Sequence, residues 1–269
     1  MINIRVGFIG GGNMAGAMIG GIAKSGVFPC GRISVYDRHR EKMESLKTKY
    51  GVETERSEQE LAAASDIVFL AVKPQNFPEV LQKVRPAVDA RKVFVSIAAG
   101  ITSARISDGL GCRCPVIRAM PNAPLLIGKG ATAVCRTGNV PDDRFELVRS
   151  FFASCGIVEV LPEEQMDAVI SVSGSSPAYI YLLAKAMADS AVAQGMNGKT
   201  ALALICQTLE GSAGMLRISG ASPETLVDMV SSKGGTTIEA VRVLKDGGFE
   251  GLVDAAMLAC TKRAKELGN

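Results

Sequence analysis

The chain has 269 residues, of which 47% are hydrophobic and 21% are charged, and its formal net charge is +3. This length favours about two domains. Because both signs of charge are spread along the chain, the composition excludes a disordered protein and a basic arm for nucleic acid. We therefore expect a soluble globular protein with no nucleic-acid partner.

Cysteine and histidine usage argues against disulfides and metal. The seven cysteines are an odd number without a CxxC pair, and the chain has only one histidine. These features predict reduced thiols in a cytoplasmic protein and no metal site. Residues 7–23 carry no charge, but seven glycines between 7 and 21 make a membrane span or signal peptide a poor explanation.

The N-terminus predicts a dinucleotide-binding fold. A short apolar strand at 4–9 leads directly into Gly10-x-Gly12-x-x-Ala15. The first glycine of this pattern permits a tight turn, the second lets the backbone approach a pyrophosphate, and the small third residue lets helix and strand pack closely. A second strand at 33–36 ends at Asp37, where an acid would meet the ribose hydroxyls.

The choice of dinucleotide stays open at this point. Asp37 favours the free 2′-hydroxyl of NADH, whereas the neighbouring Arg38, His39 and Arg40 could hold the 2′-phosphate of NADPH. These basic residues could equally be a solvated helix start.

Further strands alternate with helical patterns, as in a parallel sheet. We predict them at 66–72, 92–97, 114–119, 130–135 and 157–161. The segments 73–75 and 98–101 follow two of these strands, at the sheet edge where α/β proteins bind ligands. The Pro-rich turn at 120–124 contains Asn122, which could face the cofactor or cap the turn.

The C-terminal part is predicted to be helical. Helical patterns cover 163–195, with a kink or new start at Pro177, and then 199–219, 222–230, 237–246 and 250–266. The fold class is thus α/β, with an N-terminal Rossmann-type doubly wound sheet at 1–161 and an all-helical domain at 162–269. Helices apolar over much of their circumference predict a homo-oligomer formed through this second domain.

Residues 231–237, Ser-Ser-Lys-Gly-Gly-Thr-Thr, place two glycines and four hydroxyl side chains at a predicted helix start. Backbone N–H groups at such a position bind anions and small polar ligands. Helix capping by Ser or Thr would explain the same residues without a ligand.

Several motifs together resemble those of pyrroline-5-carboxylate reductases, over nearly the whole chain. They begin at Val6, Phe69, Met120, Gly174 and Ser231, and read VGFIGGGNM, FLAVKPQ, MPN, GSSPAY and SSKGGTT. The resemblance implies a Rossmann domain followed by a helical dimerisation domain. It also implies reduction of 1-pyrroline-5-carboxylate to L-proline with NADPH or NADH, the last step of proline biosynthesis.

The resemblance also implies roles for particular residues. The substrate carboxylate would be held by Ser232, Gly235, Thr236 and Thr237, and Thr237 would also hydrogen-bond the ring nitrogen as the catalytic residue. Dinucleotide contacts would come from Ile9, Gly10, Gly11, Gly12, Asn13, Met14, Val72, Lys73, Pro74, Ala98 and Ala99, in addition to Asp37 and Arg38. Lys233 replaces a family proline. Gly220 and Ala221 stand where some members have an acid, so a substrate contact by that acid is in doubt here.

Two alternatives remain. A 3-hydroxyacid dehydrogenase of similar architecture would use a lysine base, and Lys185 with Asp189 one turn later could imitate it, although an exposed lysine is the commoner explanation. A non-catalytic dinucleotide-binding protein would lack a second ligand site, and the 231–237 loop argues against it.

Overall fold

The computed structural model describes residues 4–268. Contacts divide it into two compact units. The sheet unit consists of the residues up to Pro177 together with those from Cys260 onward, and the helical unit is Ala178–Ala259.

Within the described residues, the sheet unit contains eight strands in the order β3-β2-β1-β4-β5-β6-β7-β8. All neighbouring pairs are parallel except β6 and β7. The strands are β1 Val6–Ile9, β2 Ile33–Tyr36, β3 Glu53–Thr54, β4 Ile67–Leu70, β5 Val93–Ser96, β6 Val116–Met120, β7 Gly130–Arg136 and β8 Gly156–Val160. The chain order reverses between β1 and β4, which is the position where doubly wound sheets bind ligands.

Both faces of the sheet are buried, which explains the continuous apolar runs of the central strands. Alternate side chains enter different clusters: Phe8 and Phe69 belong to one core cluster, and Ile9 and Leu70 belong to the other. The rings of Phe8 and Phe69 stack with centroids 4.4 Å apart. The predicted Rossmann-type sheet is confirmed.

Helices cover the two faces of the sheet. They are α1 Asn13–Ser25, α2 Arg40–Tyr50, α3 Glu58–Ala64, α4 Phe77–Val84, α5 Ser103–Leu110 and α6 Asp142–Ala153. The short strand β3 was not predicted, because two residues at a sheet edge, one exposed and one half-buried, carry no apolar pattern.

Five further helices follow, as the sequence predicted. They are α7 Ser176–Ala193, α8 Gly198–Ile218, α9 Pro223–Val230, α10 Thr236–Asp246 and α11 Phe249–Gly268. No helix within residues 4–268 is both long enough and apolar enough to cross a membrane.

The segment before α7 is not one continuous helix. A 3-10 turn at Glu163–Gln165 is followed by a π-helical turn at Ile170–Gly174, after which α7 begins with Pro177 in its first turn. Proline is tolerated there because the first N–H groups of a helix have no partner within it. By contacts, residues 162–177 and the end of α11 belong to the sheet unit. The domain boundary predicted from the sequence, between residues 161 and 162, instead follows the change from strands to helices.

Candidate active site

The turn between β1 and α1 contains glycines with different roles. Gly10 has φ +105°, and a Cβ there would collide with the carbonyl oxygen of Ala71, so the fold itself requires glycine. Gly12 has an ordinary φ of −74°, and a Cβ there would meet nothing within 4 Å. Gly12 caps α1 without a side-chain hydrogen bond. The open space and the free N–H groups of α1 together fit a pyrophosphate.

Asp37 follows β2 beside this turn, and its side chain is only 9% exposed. One carboxylate oxygen accepts a 2.9 Å hydrogen bond from the Gly11 N–H, and the other accepts from the His39 N–H at 2.9 Å and pairs with the His39 ring at 3.0 Å. Burial by itself would raise the pKa of Asp37. The N–H donors, the His39 ring and Lys42 outweigh burial and lower that pKa, so the carboxylate stays charged.

The three basic side chains near Asp37, those of Lys42, Lys83 and Arg38, differ in the ion pairs that they form with carboxylates of the protein. Lys42 Nζ lies 3.7 Å from the Asp37 carboxylate. Lys83 is held by Glu79 at 2.8 Å and by Glu58 at 3.1 Å, and these hydrogen bonds raise its pKa to about 12. Arg38 is exposed and forms no ion pair within the part of the chain that the structure describes.

These groups line a cavity of about 250 Å³ at the carboxyl ends of the first strands. The predicted dinucleotide residues that line it are Ile9, Gly10, Gly12, Asp37, Arg38, Val72 and Lys73. Gly11 reaches the site through its N–H bond to Asp37. Asn13 and Met14 open α1, and Pro74 opens the 3-10 turn that precedes α4. Ala98 and Ala99 follow β5, where Ala98 is buried and Ala99 is half-buried.

Asn122 makes hydrogen bonds with the protein through both ends of its amide. Its Oδ1 accepts from the Ala131 N–H at 2.9 Å, and its Nδ2 donates to the Ser173 carbonyl at 3.0 Å. Only 6% of the residue is exposed. Asn122 therefore joins the Pro-rich turn to β7 and to the π-helical turn, and the structure assigns it a structural task.

In the helical unit, the 231–237 loop ends at a helix start without a side-chain cap. Gly235 is the N-cap of α10, and it lacks a side-chain hydrogen bond to the helix, so Thr236 and Thr237 lie inside the first turn. The alternative of simple Ser or Thr capping is therefore wrong at this position. Gly234 needs glycine because its φ is +75°. At Gly235 a Cβ would lie 2.7 Å from Ser232 Oγ, so a larger residue would displace that hydroxyl.

Comparison with known proteins agrees with the β1–α1 turn in the sheet unit and with the 231–237 loop in the helical unit. A family model described as pyrroline-5-carboxylate reductase dimerisation matches residues 163–267, and one described as NADP oxidoreductase, coenzyme F420-dependent, matches residues 5–100. The Escherichia coli (strain K12) pyrroline-5-carboxylate reductase is 41% identical over 98% of both chains. The chain belongs to the pyrroline-5-carboxylate reductase family.

Relatives from distant organisms and solved structures agree with this membership. Pyrroline-5-carboxylate reductase 3 of Danio rerio is 37% identical, with coverage of 100% of this chain and 93% of that one. The crystal structure of Plasmodium falciparum pyrroline carboxylate reductase with NADP bound has a TM-score of 0.91 at 30% identity, and covers 100% of both chains. The structure of a pyrroline-5-carboxylate reductase from Coxiella burnetii has a TM-score of 0.89 at 34% identity, and the match covers 99% of both chains.

Lys185 does not have the properties of a catalytic base. Its Nζ lies 2.6 Å from Asp189, and the two side chains are 71% and 65% exposed. The hydrogen bond to Asp189 raises the pKa of Lys185, whereas a general base needs a lowered one. This geometry, like the membership of a reductase family, disfavours the 3-hydroxyacid dehydrogenase alternative.

Sequence reasoning missed residues that contact Asp37 or the helix after the 98–101 segment. Lys42 contacts Asp37 from the first turn of α2, and only the helical spacing to the end of β2 could have signalled it. In the helix that follows the 98–101 segment, Arg105 contacts Gly268 and Ser103 contacts Glu163, across 163 and 60 residues of sequence. No local pattern carries contacts of that separation.

Proposed function

We propose that this chain reduces 1-pyrroline-5-carboxylate to L-proline with NADPH or NADH, the last step of proline biosynthesis. The observation that carries this proposal is the match to the Escherichia coli reductase, which covers 98% of both chains and includes the β1–α1 turn and the 231–237 loop. The protein is an NAD(P)H-dependent oxidoreductase that acts on a C=N bond.

The residues present fit a dinucleotide. The N–H groups at the start of α1 and the space at Gly12 would receive the pyrophosphate, and Asp37 and Arg38 would receive the adenosine ribose. Val72, Lys73 and Pro74 would line the path across the sheet edge, and Ala98 and Ala99 would flank the nicotinamide. The bound cofactor supplies the hydride for the reduction.

The 231–237 loop would hold the substrate. The Ser232 hydroxyl and the N–H groups of Thr236 and Thr237 suit the carboxylate, because the N-terminus of α10 carries partial positive charge. The Gly235 N–H already donates to the Ser232 carbonyl at 3.0 Å, so Gly235 would contribute as the small residue at the helix start. The Thr237 hydroxyl would hydrogen-bond the ring nitrogen. A neutral hydroxyl suits this position, since a cyclic imine can arrive already protonated and then needs orientation more than a strong acid.

The position of the single histidine agrees with this chemistry. His39 is engaged with Asp37, next to the proposed adenosine site. The mechanism therefore assigns it no proton transfer, and the proposed catalytic residue is Thr237. We place the protein in the cytoplasm, in accord with its seven free cysteines.

Turnover tests this proposal directly. Purified protein with racemic pyrroline-5-carboxylate and NADPH or NADH should consume the reduced nicotinamide, followed by its absorbance, and should form proline, measured by amino-acid analysis. A 3-hydroxy acid with NAD⁺ or NADP⁺ should give no reduced nicotinamide. Lack of imine reduction with both cofactors would refute the proposal.

The helical unit should form a homo-oligomer through its exposed apolar side chains. Residues that a lone soluble domain would bury are exposed here, including Leu182 (69%), Met229 (66%) and Leu252 (68%). Such a surface marks an interface, and the dimerisation family model covers this region. Light scattering is expected to give at least a dimer at assay concentrations. A dilute, active monomer would contradict this prediction.

Arg38 should make the enzyme favour NADPH. The carboxylate of Asp37 is occupied by protein donors, whereas Arg38 forms no ion pair within residues 4–268 and so has its guanidinium donors for a 2′-phosphate. We expect Arg38→Ala to lower kcat/KM for NADPH roughly 10-fold and to change that for NADH less than about 2-fold. Arg91→Ala is the control, because Arg91 is an exposed arginine that pairs with Asp89 and does not line this cavity. Equal losses with both cofactors would show that Arg38 does not bind the 2′-phosphate.

A further inference from the structure

The segment 98–101 connects β5 to α5 in a conformation that several contacts fix. The Ala98 N–H donates to Ser96 Oγ at 3.3 Å, and Ile101 is 1% exposed. Gly100 lies between them with φ +76°, a conformation that favours glycine. The backbone of this segment is therefore held in one arrangement.

The C-terminal end of α11 packs directly on Gly100. A Cβ at Gly100 would collide with the carbonyl oxygen of Ala264 and lie 3.1 Å from the Gly268 nitrogen. Conversely, a Cβ at Gly268 would collide with the Gly100 carbonyl oxygen. Glycine at both positions lets the two backbones touch.

Arg105 holds the end of α11 in this place. From the first turn of α5, its guanidinium donates to the carbonyl oxygen of Gly268 and, at 3.4 Å, to that of Leu267. The last carbonyls of a helix lack partners within it and carry partial negative charge, so an arginine satisfies them and stabilises the helix end.

A second contact fixes the same turn of α5. The Ser103 N–H and hydroxyl both donate to the Glu163 carboxylate, at 2.8 and 2.5 Å. Glu163 also accepts from Arg118 at 3.1 Å, and the Arg118 side chain is 5% exposed. The dimerisation family model matches residues 163–267. Glu163 and Leu267, at the two ends of that match, thus both contact the first turn of α5.

This turn follows the segment proposed to flank the nicotinamide. In the sheet order, β2 with Asp37 lies on one side of β1, and β4 and β5 lie on the other. A dinucleotide that crosses the strand ends with its adenosine near Asp37 therefore has its nicotinamide half near Ala98 and Ala99.

We propose that Arg105 is a positioning residue for the nicotinamide half of the cofactor. It acts by holding the end of α11 against Gly100, which fixes the backbone of Ala98 and Ala99. This inference rests on the proposed function. A merely stabilising arginine would affect both halves of the dinucleotide alike, whereas a positioning residue affects the nicotinamide half alone.

The test compares two ligands that differ only by nicotinamide. Affinities of the full-length Arg105→Ala variant for NADH and for ADP-ribose are measured by calorimetry without substrate. We expect NADH affinity to fall roughly 10-fold, as for loss of a charge-assisted hydrogen bond, and ADP-ribose affinity to stay within about 2-fold of the wild-type value. The kcat for imine reduction should fall as well, and Arg105→Lys should restore part of the NADH affinity.

Control variants separate this effect from general damage. Arg91→Ala removes an exposed arginine that is paired with Asp89 and should change neither affinity. Gly100→Ala should reproduce the selective loss, because its side chain would push against Ala264.

The possible failures are distinguishable. Equal loss of NADH and ADP-ribose affinity, or no loss of either, in Arg105→Ala would overturn the positioning role. A wild-type protein that binds NADH but reduces no imine would instead refute the proposed function.

Discussion

Gly12→Val is expected to fold with an unchanged thermal midpoint and to lose dinucleotide affinity on the order of 100-fold. The physical reason is the difference between the glycines of the β1–α1 turn. Gly12 has a φ that any residue adopts, and a Cβ there meets nothing within 4 Å of protein. The Cβ of the valine would therefore enter the space assigned to the pyrophosphate without meeting the protein. Calorimetry with NADPH and NADH, together with thermal unfolding, measures both parts of the prediction.

The matched control is Gly10→Ala, two residues earlier. Gly10 has φ +105°, and its added Cβ would collide with the Ala71 carbonyl. This variant should lower the thermal midpoint, because the damage lies in the fold rather than in the ligand space. If Gly12→Val bound the dinucleotide as well as the wild type does, the assignment of the phosphate site would be wrong.

Thr237→Ala is expected to lower kcat on the order of 100-fold, the loss typical of removing one hydrogen bond that stabilises the transition state. Dinucleotide affinity should stay within about 2-fold of the wild-type value, since Thr237 belongs to the helical unit and the proposed dinucleotide residues to the sheet unit. Steady-state kinetics with saturating pyrroline-5-carboxylate measures kcat, and calorimetry measures cofactor affinity.

Thr208→Ala serves as the control for this threonine. Thr208 lies on α8 of the same unit, and its hydroxyl donates to the Leu204 carbonyl of its own helix at 2.8 Å. Its loss should leave kcat unchanged. A collapse of cofactor binding in Thr237→Ala would show that the 231–237 loop serves the dinucleotide and not the imine.

Except for the edge strand β3, the sequence was sufficient for the order of the strands along the chain and for the run of helices that follows them. Strand β2 begins and ends as predicted at 33–36, and α10 begins within one residue of its predicted start. These elements are readable because their apolar periodicity is local. The edge strand β3 was missed because two residues are too few to show an apolar periodicity.

The roles of single polar residues could not be predicted, because they depend on partners far away in sequence. Asn122 left two possibilities open, and only its bonds to Ala131 and Ser173 decide for a structural task. Likewise, the hydroxyls of 231–237 looked like possible helix caps, but the cap is Gly235. The N-cap is the last residue with extended backbone dihedrals before the helix, and residue types fix its position only weakly.

By itself, the sequence determined the two-part architecture, the dinucleotide turn and the family resemblance, because each rests on residues adjacent along the chain. The tertiary structure alone decided which donors occupy Asp37, which glycine leaves space for a ligand, and that Arg105 joins the end of α11 to the segment after β5. The physical reason is distance in sequence. Hydrogen bonds and steric exclusions between remote segments are set by packing, which no local pattern records.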